Sequence, residues 1–441
     1  MKYYSTNRQT SEVDLQKAVV KGLAADKGLY MPETIPILPD SFYENISGLS
    51  FHEIAYEVAY AFFGGDVDAE ILRNIVVDTL NFDTPVVKIS DAVYSLELFH
   101  GPTLAFKDVG ARFMARLLRY FIEKQGLNDV NVLAATSGDT GSAVANGFLG
   151  VDKIHVYVLY PKGKVSAIQE CQFTTLGQNI TALEIDGTFD DCQALVKSAF
   201  TDKELNEKMQ LTSANSINVA RFLPQAFYYF HAYAQLKKQG IDKDIVFCVP
   251  SGNFGNLTAG LIARQMGLPV KRFIAANNRN DVFLQYLRTG FYNPRPSVQT
   301  LANAMDVGDP SNFVRILDLY NHDHEIITQI VSGFSCDDET IRETVKTCYE
   351  KTGYVLDPHG ACGYSALLNG LQAGETGVFL ETAHPAKFKE TIDGIIGKKI
   401  EIPEKLQTFM KGKKQSIELS KDFQKFKDII MLCRKRNNLL L

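Results

Sequence analysis

The stretch Ile245-Val246-Phe247-Cys248-Val249-Pro250-Ser251-Gly252-Asn253-Phe254-Gly255-Asn256 decides the architecture. Ile245 to Val249 is an unbroken apolar run. It empties into a loop of small polar residues, and a helix-forming segment follows from Leu257 to Met266. A continuous apolar run is how a strand buried on both faces reads, and strands of parallel sheets lie that way. Strand, polar loop and helix in succession make half of a βαβ unit. The same scheme recurs upstream. Asn131 to Ala135 runs into Ser137-Gly138-Asp139-Thr140-Gly141-Ser142 and a helix, and Ile154 to Tyr160 runs into Pro161-Lys162-Gly163-Lys164 and a helix. Ile180 to Ile185 repeats it, and Val378 to Leu380 leads through Glu381-Thr382-Ala383-His384 to a helix begun by Pro385. The fold class is therefore α/β, with parallel sheets flanked by helices.

The flanks read differently. Residues 1–85 read as a mostly helical N-terminal domain, with a helix opening at Ser11-Glu12-Val13-Asp14 and ending near Gly22, and two more at Phe51 to Phe63 and Ala69 to Leu80. Residues 86–400 form the α/β region, in two subdomains, of which 281–350 are mixed in character. Residues 401–441 read as a C-terminal helical extension. It holds a solvated linker at Lys411 to Lys414 and a last helix from Phe423 to Leu432, whose end Arg434-Lys435-Arg436 is a solvated charge run.

Bulk properties narrow the function. The 441 residues are 45% hydrophobic and 22% charged, enough for a sizeable core. A net charge of −5 argues against nucleic acid as a partner. No apolar run approaches a membrane span, and the first residues lack the core of a signal peptide. Seven cysteines without a CxxC pair read as reduced packing residues of a cytoplasmic protein. His322-Asp323-His324 has no third ligand at recognisable spacing, so no metal is expected and these histidines read as surface residues.

In an open α/β sheet, ligands bind at the carboxyl ends of the strands. Five loops there carry unusual residues. Gly252 to Asn256 precedes a helix N-terminus, whose N–H groups and dipole favour an anion; by composition alone, a tight turn is an equally good account. It matches neither GxxxxGK nor GxGxxG, which disfavours a nucleoside triphosphate or a dinucleotide. Ser137 to Ser142 has the same placement and three hydroxyls. Lys107 follows Leu104-Ala105-Phe106. A lysine before a helix is usually solvated, yet this apolar stretch can bury the amine, and a desolvated lysine is what a Schiff base requires. Asp108 is placed to cap the helix whose apolar face is Val109, Phe113, Met114, Leu117 and Phe121. Asn215, Ser216 and Arg221 suit a phosphate or carboxylate, though on composition a plain helix start with an exposed Arg is slightly the better account. Thr382 ends a strand beside His384-Pro385-Ala386-Lys387.

Together these segments resemble the threonine synthases of the longer bacterial and fungal type. The matching stretches are LELFHGPTLAFKD at 96–108, ATSGDTGSAVA at 135–145, YPKGKVSAIQE at 160–170, ANSIN at 214–218 with Arg221, VPSGNFGNLTAGL at 249–261, NAMDVGDPSN at 303–312 and TAHPAKFKE at 382–390. KGLAADKGLYMPETIP at 21–36 is similar to the family's N-terminal domain. The resemblance implies the tryptophan-synthase β-like fold and pyridoxal 5'-phosphate (PLP) as cofactor, linked to Lys107. It implies that Gly252, Asn253, Phe254, Gly255 and Asn256 hold the cofactor phosphate and that Thr382 faces the pyridine nitrogen. Shorter family members place an asparagine where Asp139 stands, next to the PLP hydroxyl. Ser137 and Thr140 are implied at the cofactor ring and substrate carboxylate, and Asn215, Ser216 and Arg221, assisted by Lys164, at the substrate phosphate. The implied reaction turns O-phospho-L-homoserine and water into L-threonine and phosphate, in a monomer or weak homo-oligomer. The alternatives are a PLP-dependent lyase acting on another phosphoamino acid and a non-catalytic relative serving as a binding protein. The presence of Lys107 speaks against the second.

Overall fold

The computed structural model describes residues 1–126 and 129–437, with side chains through residue 433. The chain opens with a small antiparallel sheet, β1 (Lys2–Ser5), β2 (Val13–Asp14) and β3 (Tyr30–Pro32), in the order β2-β1-β3. The rest of the first 85 residues holds helices, the longest at Phe51–Phe63 and Ala69–Thr79, joined by turns and loops. The helix expected from Ser11 starts later. Val13 pairs with Tyr3 in the sheet, and Leu15–Lys21 is the helix, capped by Asp14 accepting from the Lys17 N–H at 2.8 Å.

Two larger sheets are interleaved along the chain. β4 (Val86–Ser90) and β5 (Val93–Glu97) begin the first. The chain then leaves it to build the second from β6 (Val130–Ala135), β7 (Ile154–Pro161), β8 (Ile180–Asp186) and β9 (Leu211–Ser213). It returns with β10 (Ile245–Pro250), β11 (Val270–Asn277), β12 (Val331–Ser335) and β13 (Thr376–Glu381). The first sheet runs β12-β11-β10-β13-β5-β4, parallel except for the edge strand β4. The second is fully parallel. Its order is β14-β8-β7-β6-β9, where β14 (Ser416–Ser420) comes from the C-terminal segment. That segment is thus not wholly helical: besides the helices Glu404–Met410 and Phe423–Asn437 it contributes an edge strand. Lys411 to Lys413 are exposed as expected, but Lys414 pairs with Glu170 and Glu184 and pins the strand's entry. The side chains of Arg434, Lys435 and Arg436 lie outside the described residues.

Every residue of β6 and β10 is buried, Asn131 of β6 included, as strands covered on both faces require. All seven cysteines are free, and five of them are buried. No helix among the described residues is long and apolar enough to cross a membrane. The loops leaving the carboxyl ends of β5, β6, β9, β10 and β13 converge between the two large sheets.

Candidate active site

The loop after β5 is zipped to the loop after β13. The Phe106 N–H donates to the Thr382 carbonyl at 2.9 Å, the His384 N–H to the Leu104 carbonyl at 3.1 Å, and Ala105 pairs with Ala383. Leu104 sits at a φ of 55°, a left-handed conformation that a leucine adopts only under such constraint. The helix Lys107–Gln125 begins at Lys107 itself. Asp108 therefore does not cap it. Its buried carboxylate turns back to accept from the Thr103 N–H at 2.9 Å and the Thr103 hydroxyl at 2.6 Å, holding the loop that delivers Lys107. Burial lowers the Lys107 pKa from 10.5 to about 8; Asp139 opposes the shift, while Lys387 and Arg221 add to it.

The turn after β10 presents a helix N-terminus. Phe254, at a φ of 59°, precedes the helix Gly255–Gln265. The N–H groups of Gly255 and Asn256 lie in its first turn, where no intrahelical acceptor exists. A Cβ on Gly252 would lie 2.8 Å from the Ala304 carbonyl oxygen, so only glycine fits against that wall. The Asn253 side-chain oxygen accepts from the Ser311 N–H at 3.2 Å. Asn256 is committed within the turn: its amide donates to the Pro250 carbonyl at 2.8 Å and its oxygen accepts from the Ser251 hydroxyl at 2.7 Å. With its side chain committed there, Asn256 presents its backbone N–H toward the cavity's helix terminus.

After β6, the Thr136 hydroxyl accepts from the N–H groups of Gly138 and Gly141, folding the loop into the helix Asp139–Phe148. Asp139 is buried, and its Oδ1 accepts from Lys387 Nζ at 2.6 Å and Gln169 Nε2 at 2.9 Å. Burial acts to raise the Asp139 pKa, but Lys387 and then Lys107 outweigh it and hold the carboxyl well below the usual range.

After β9, Arg221 donates from Nε to the Ala214 carbonyl at 2.8 Å and from Nη1 to the Lys107 carbonyl at 3.0 Å. Burial lowers its pKa to about 10, so it remains a cation. Ser216 lies against Gly255 and accepts from Asn312 Nδ2 at 2.9 Å. Asn215 donates to the Ala135 carbonyl at 3.0 Å, while its Oδ1 is buried without a partner, an acceptor that a ligand N–H or O–H would satisfy.

One cavity gathers Lys107, Ser137, Asp139, Thr140, Asn215, Ser216, Arg221, Gly252 to Asn256 and Thr382. Lys164 is not among its walls; it is exposed on a neighbouring outer cavity, which Ser137 also lines. Sequence reasoning missed Gln225 and His359, which complete the central wall. His359 donates from Nδ1 to Asp357 at 2.5 Å and accepts at Nε2 from the Ala304 N–H at 3.1 Å. The Asp-Pro pair before His359, a helix-start signature, was the available signal. Of the pair read as surface residues, His322 is exposed, but His324 is half-buried and bonded to the Tyr286 carbonyl at 3.0 Å.

The walls fit PLP: an amine of lowered pKa, free N–H groups at a glycine-bordered helix terminus, and an unpaired buried acceptor face one space. Comparison with known proteins agrees. A family model described as pyridoxal-phosphate dependent enzyme matches residues 77–381, and models for the threonine synthase N terminus and C-terminal region match 2–80 and 360–430. The chain is 44% identical to the threonine synthase of Haemophilus influenzae, over 98% of this chain and all of that one. It superimposes on the crystal structure of threonine synthase from Escherichia coli with a TM-score of 0.92 at 43% identity, covering 98% of this chain and 99% of the other. On PLP-bound threonine synthase from Brucella melitensis the TM-score is 0.90 at 34% identity, covering 98% of both. With its cofactor-fitting cavity and whole-length likeness, this chain belongs to the threonine synthase family of PLP-dependent enzymes.

Proposed function

We propose that the cavity converts O-phospho-L-homoserine and water into L-threonine and phosphate, in the cytoplasm, as a monomer or weak homo-oligomer. The observation that carries the reading is the meeting of Lys107 with two adjoining polar groups, the Gly252–Asn256 turn and Asn215, Ser216 and Arg221, in one space. All these residues come from one chain, and its free cysteines suit a reducing compartment.

When bound, PLP supplies an electron sink that makes protons next to a linked amino group removable. The Gly252–Asn256 turn would hold its phosphate, the neutral hydroxyl of Thr382 would serve its ring nitrogen, and Lys107 would carry it. Lys107 then serves as the base, placed to move protons at Cα and Cβ of the substrate; with a pKa near 8 it is partly unprotonated at neutral pH. Ser137 and Thr140 orient the substrate carboxylate. Among the described residues Arg221 bonds protein carbonyls through Nε and Nη1, so its other N–H groups remain to balance the charge on phosphate leaving Cγ. Protonation at Cγ and attack of water at Cβ complete threonine.

The test is purified protein mixed with O-phosphohomoserine, with phosphate and threonine assayed together. Both should appear in equal amounts, and Lys107→Ala should abolish them along with the cofactor's visible absorbance band. Phosphate release from O-phosphoserine but not from O-phosphohomoserine would reassign the substrate. A Lys107→Ala protein of parental activity would refute the role of Lys107.

A further inference from the structure

Lys387 is a fully buried lysine that the mechanism above does not use. It lies in the turn Pro385–Phe388 after β13, with 1% of its surface exposed. Its Nζ reaches Asp139 Oδ1 at 2.6 Å and the Thr103 carbonyl at 2.9 Å, and its own carbonyl accepts from the Ser166 hydroxyl at 3.2 Å. It therefore joins three segments: the loop that delivers Lys107, the helix start that carries Asp139, and the loop after β7. A buried ammonium pays a large desolvation cost and persists only where it is well partnered.

We propose that Lys387 is a positioning residue for the reaction: by occupying Asp139 in a buried ion pair, it keeps that carboxylate from claiming the Lys107 amine and so leaves Lys107 free as a proton acceptor. The inference rests on the reading of Lys107 as the cofactor-bearing base. The charged and titratable groups around the pair are few. Lys107 feels Asp139, Lys387 and Arg221, and Asp139 also feels His359. Lys387 acts in addition on Asp108, Cys171 and His384. Asp108 is spent on Thr103, burial pushes the Cys171 thiol up to about 11, and burial lowers His384 to about 4, leaving both of the latter neutral. His359 is spent between Asp357 and the Ala304 N–H. Asp139 is thus the carboxylate able to compete for Lys107. Gln169 cannot replace Lys387, because a neutral amide orients Asp139 Oδ1 without cancelling its charge.

The test follows the Lys107 nitrogen rather than turnover. Full-length protein freed of cofactor is mixed with PLP across a pH series, and the rate of appearance of the covalent absorbance band is recorded. Ionisations of PLP free in solution are common to all variants, so differences between them report the protein's side of the reaction. In Lys387→Met the uncompensated Asp139 should hold the proton on Lys107, raising the pH midpoint by about one unit or more, a tenfold change in proton affinity. In Asp139→Asn the midpoint should fall, because the positive charges of Lys387 and Arg221 then act on Lys107 unopposed. Lys387→Arg should stay close to the parent. Such shifts of opposite sign are not what a loosened fold produces. A Lys387→Met midpoint within about 0.3 unit of the parent, or below it, overturns the inference. If that variant fails to fold, Asp139→Asn decides: a fall supports the inference, and an unmoved or raised midpoint overturns it. Failure of the underlying reading is seen separately, as a covalent band that survives in Lys107→Ala.

Discussion

At Gly252 the chain has no room for one more carbon. A Cβ there would lie 2.8 Å from the Ala304 carbonyl oxygen and 2.9 Å from the Met305 Cα, and backbone cannot swing aside as a side-chain tip can. Gly252→Ala should displace the 304–305 wall of the cavity and weaken PLP binding about tenfold or more, ~1.4 kcal/mol. Titrating cofactor-free protein with PLP measures this, and unchanged affinity would show that the wall has slack. Arg221 poses a finer question, since Ser216 abuts Gly255 and the two proposed anion sites adjoin. Arg221→Ala should raise KM for O-phosphohomoserine about tenfold or more, the scale of one charge-assisted pair, while PLP affinity stays at the parental value. The reverse result would assign the guanidinium to the cofactor phosphate.

At the scale of elements, the site was legible wherever a buried parallel strand ends in a loop of small polar residues, because both halves of that signal are local. Three such loops, after β6, β10 and β13, were readable in this way. Those bearing Lys107 and Asn215 follow β5 and β9, strands the sequence did not reveal, and stood out by residue type; all five line one cavity. What the sequence concealed depends on long-range pairing. β1, β2 and β3 have four, two and three residues, too few for alternation to show, and β14 is a strand only because β8 offers it an edge. The partners of Lys387 and His359 come from loops distant in the chain, so composition could not single them out. Arg315, in the helix Phe313–Leu319, was hidden in the same way. Fully buried, it donates to the carbonyls of Tyr30, Ser216 and Ile217 at 2.7 to 2.9 Å and to the Asn312 side chain at 2.6 Å. It thereby fixes the loop bearing Ser216 to β3. Arg315→Met should leave the buried Tyr30 carbonyl and the half-buried Ser216 and Ile217 carbonyls without that donor and destabilise the protein by ~3 kcal/mol, at roughly 1 kcal/mol each. A thermal melt would show it as a drop of several degrees, and an unchanged midpoint would mean that these carbonyls find other partners.

For the whole molecule, the N-terminal region is part of the site's foundation rather than an appendage. Tyr3, Val19, Phe62 and Phe63 belong to the same continuous core as Phe113 and Phe227, so the helices carrying Lys107 and supporting Arg221 pack on it. Polar contacts tie it to the same loops. Asn218 Nδ2 donates to the Val19 carbonyl at 2.9 Å, Arg315 Nη2 to the Tyr30 carbonyl at 2.9 Å, and Arg112 Nε to the Thr79 carbonyl at 3.0 Å. Removing residues 1–85 would expose the apolar faces that Phe62 and Phe63 cover, at ~1.5–3 kcal/mol for each such side chain, and would free the Asn215–Arg221 loop. A chain beginning at residue 86 should therefore aggregate or remain expanded in gel filtration and fail to take up PLP. Supplying residues 1–85 as a separate polypeptide during refolding should restore part of both properties, because the contacts need proximity and not a covalent link. A truncated chain that stays compact and binds PLP with parental affinity would show instead that the two large sheets and their own helices suffice to build the cavity.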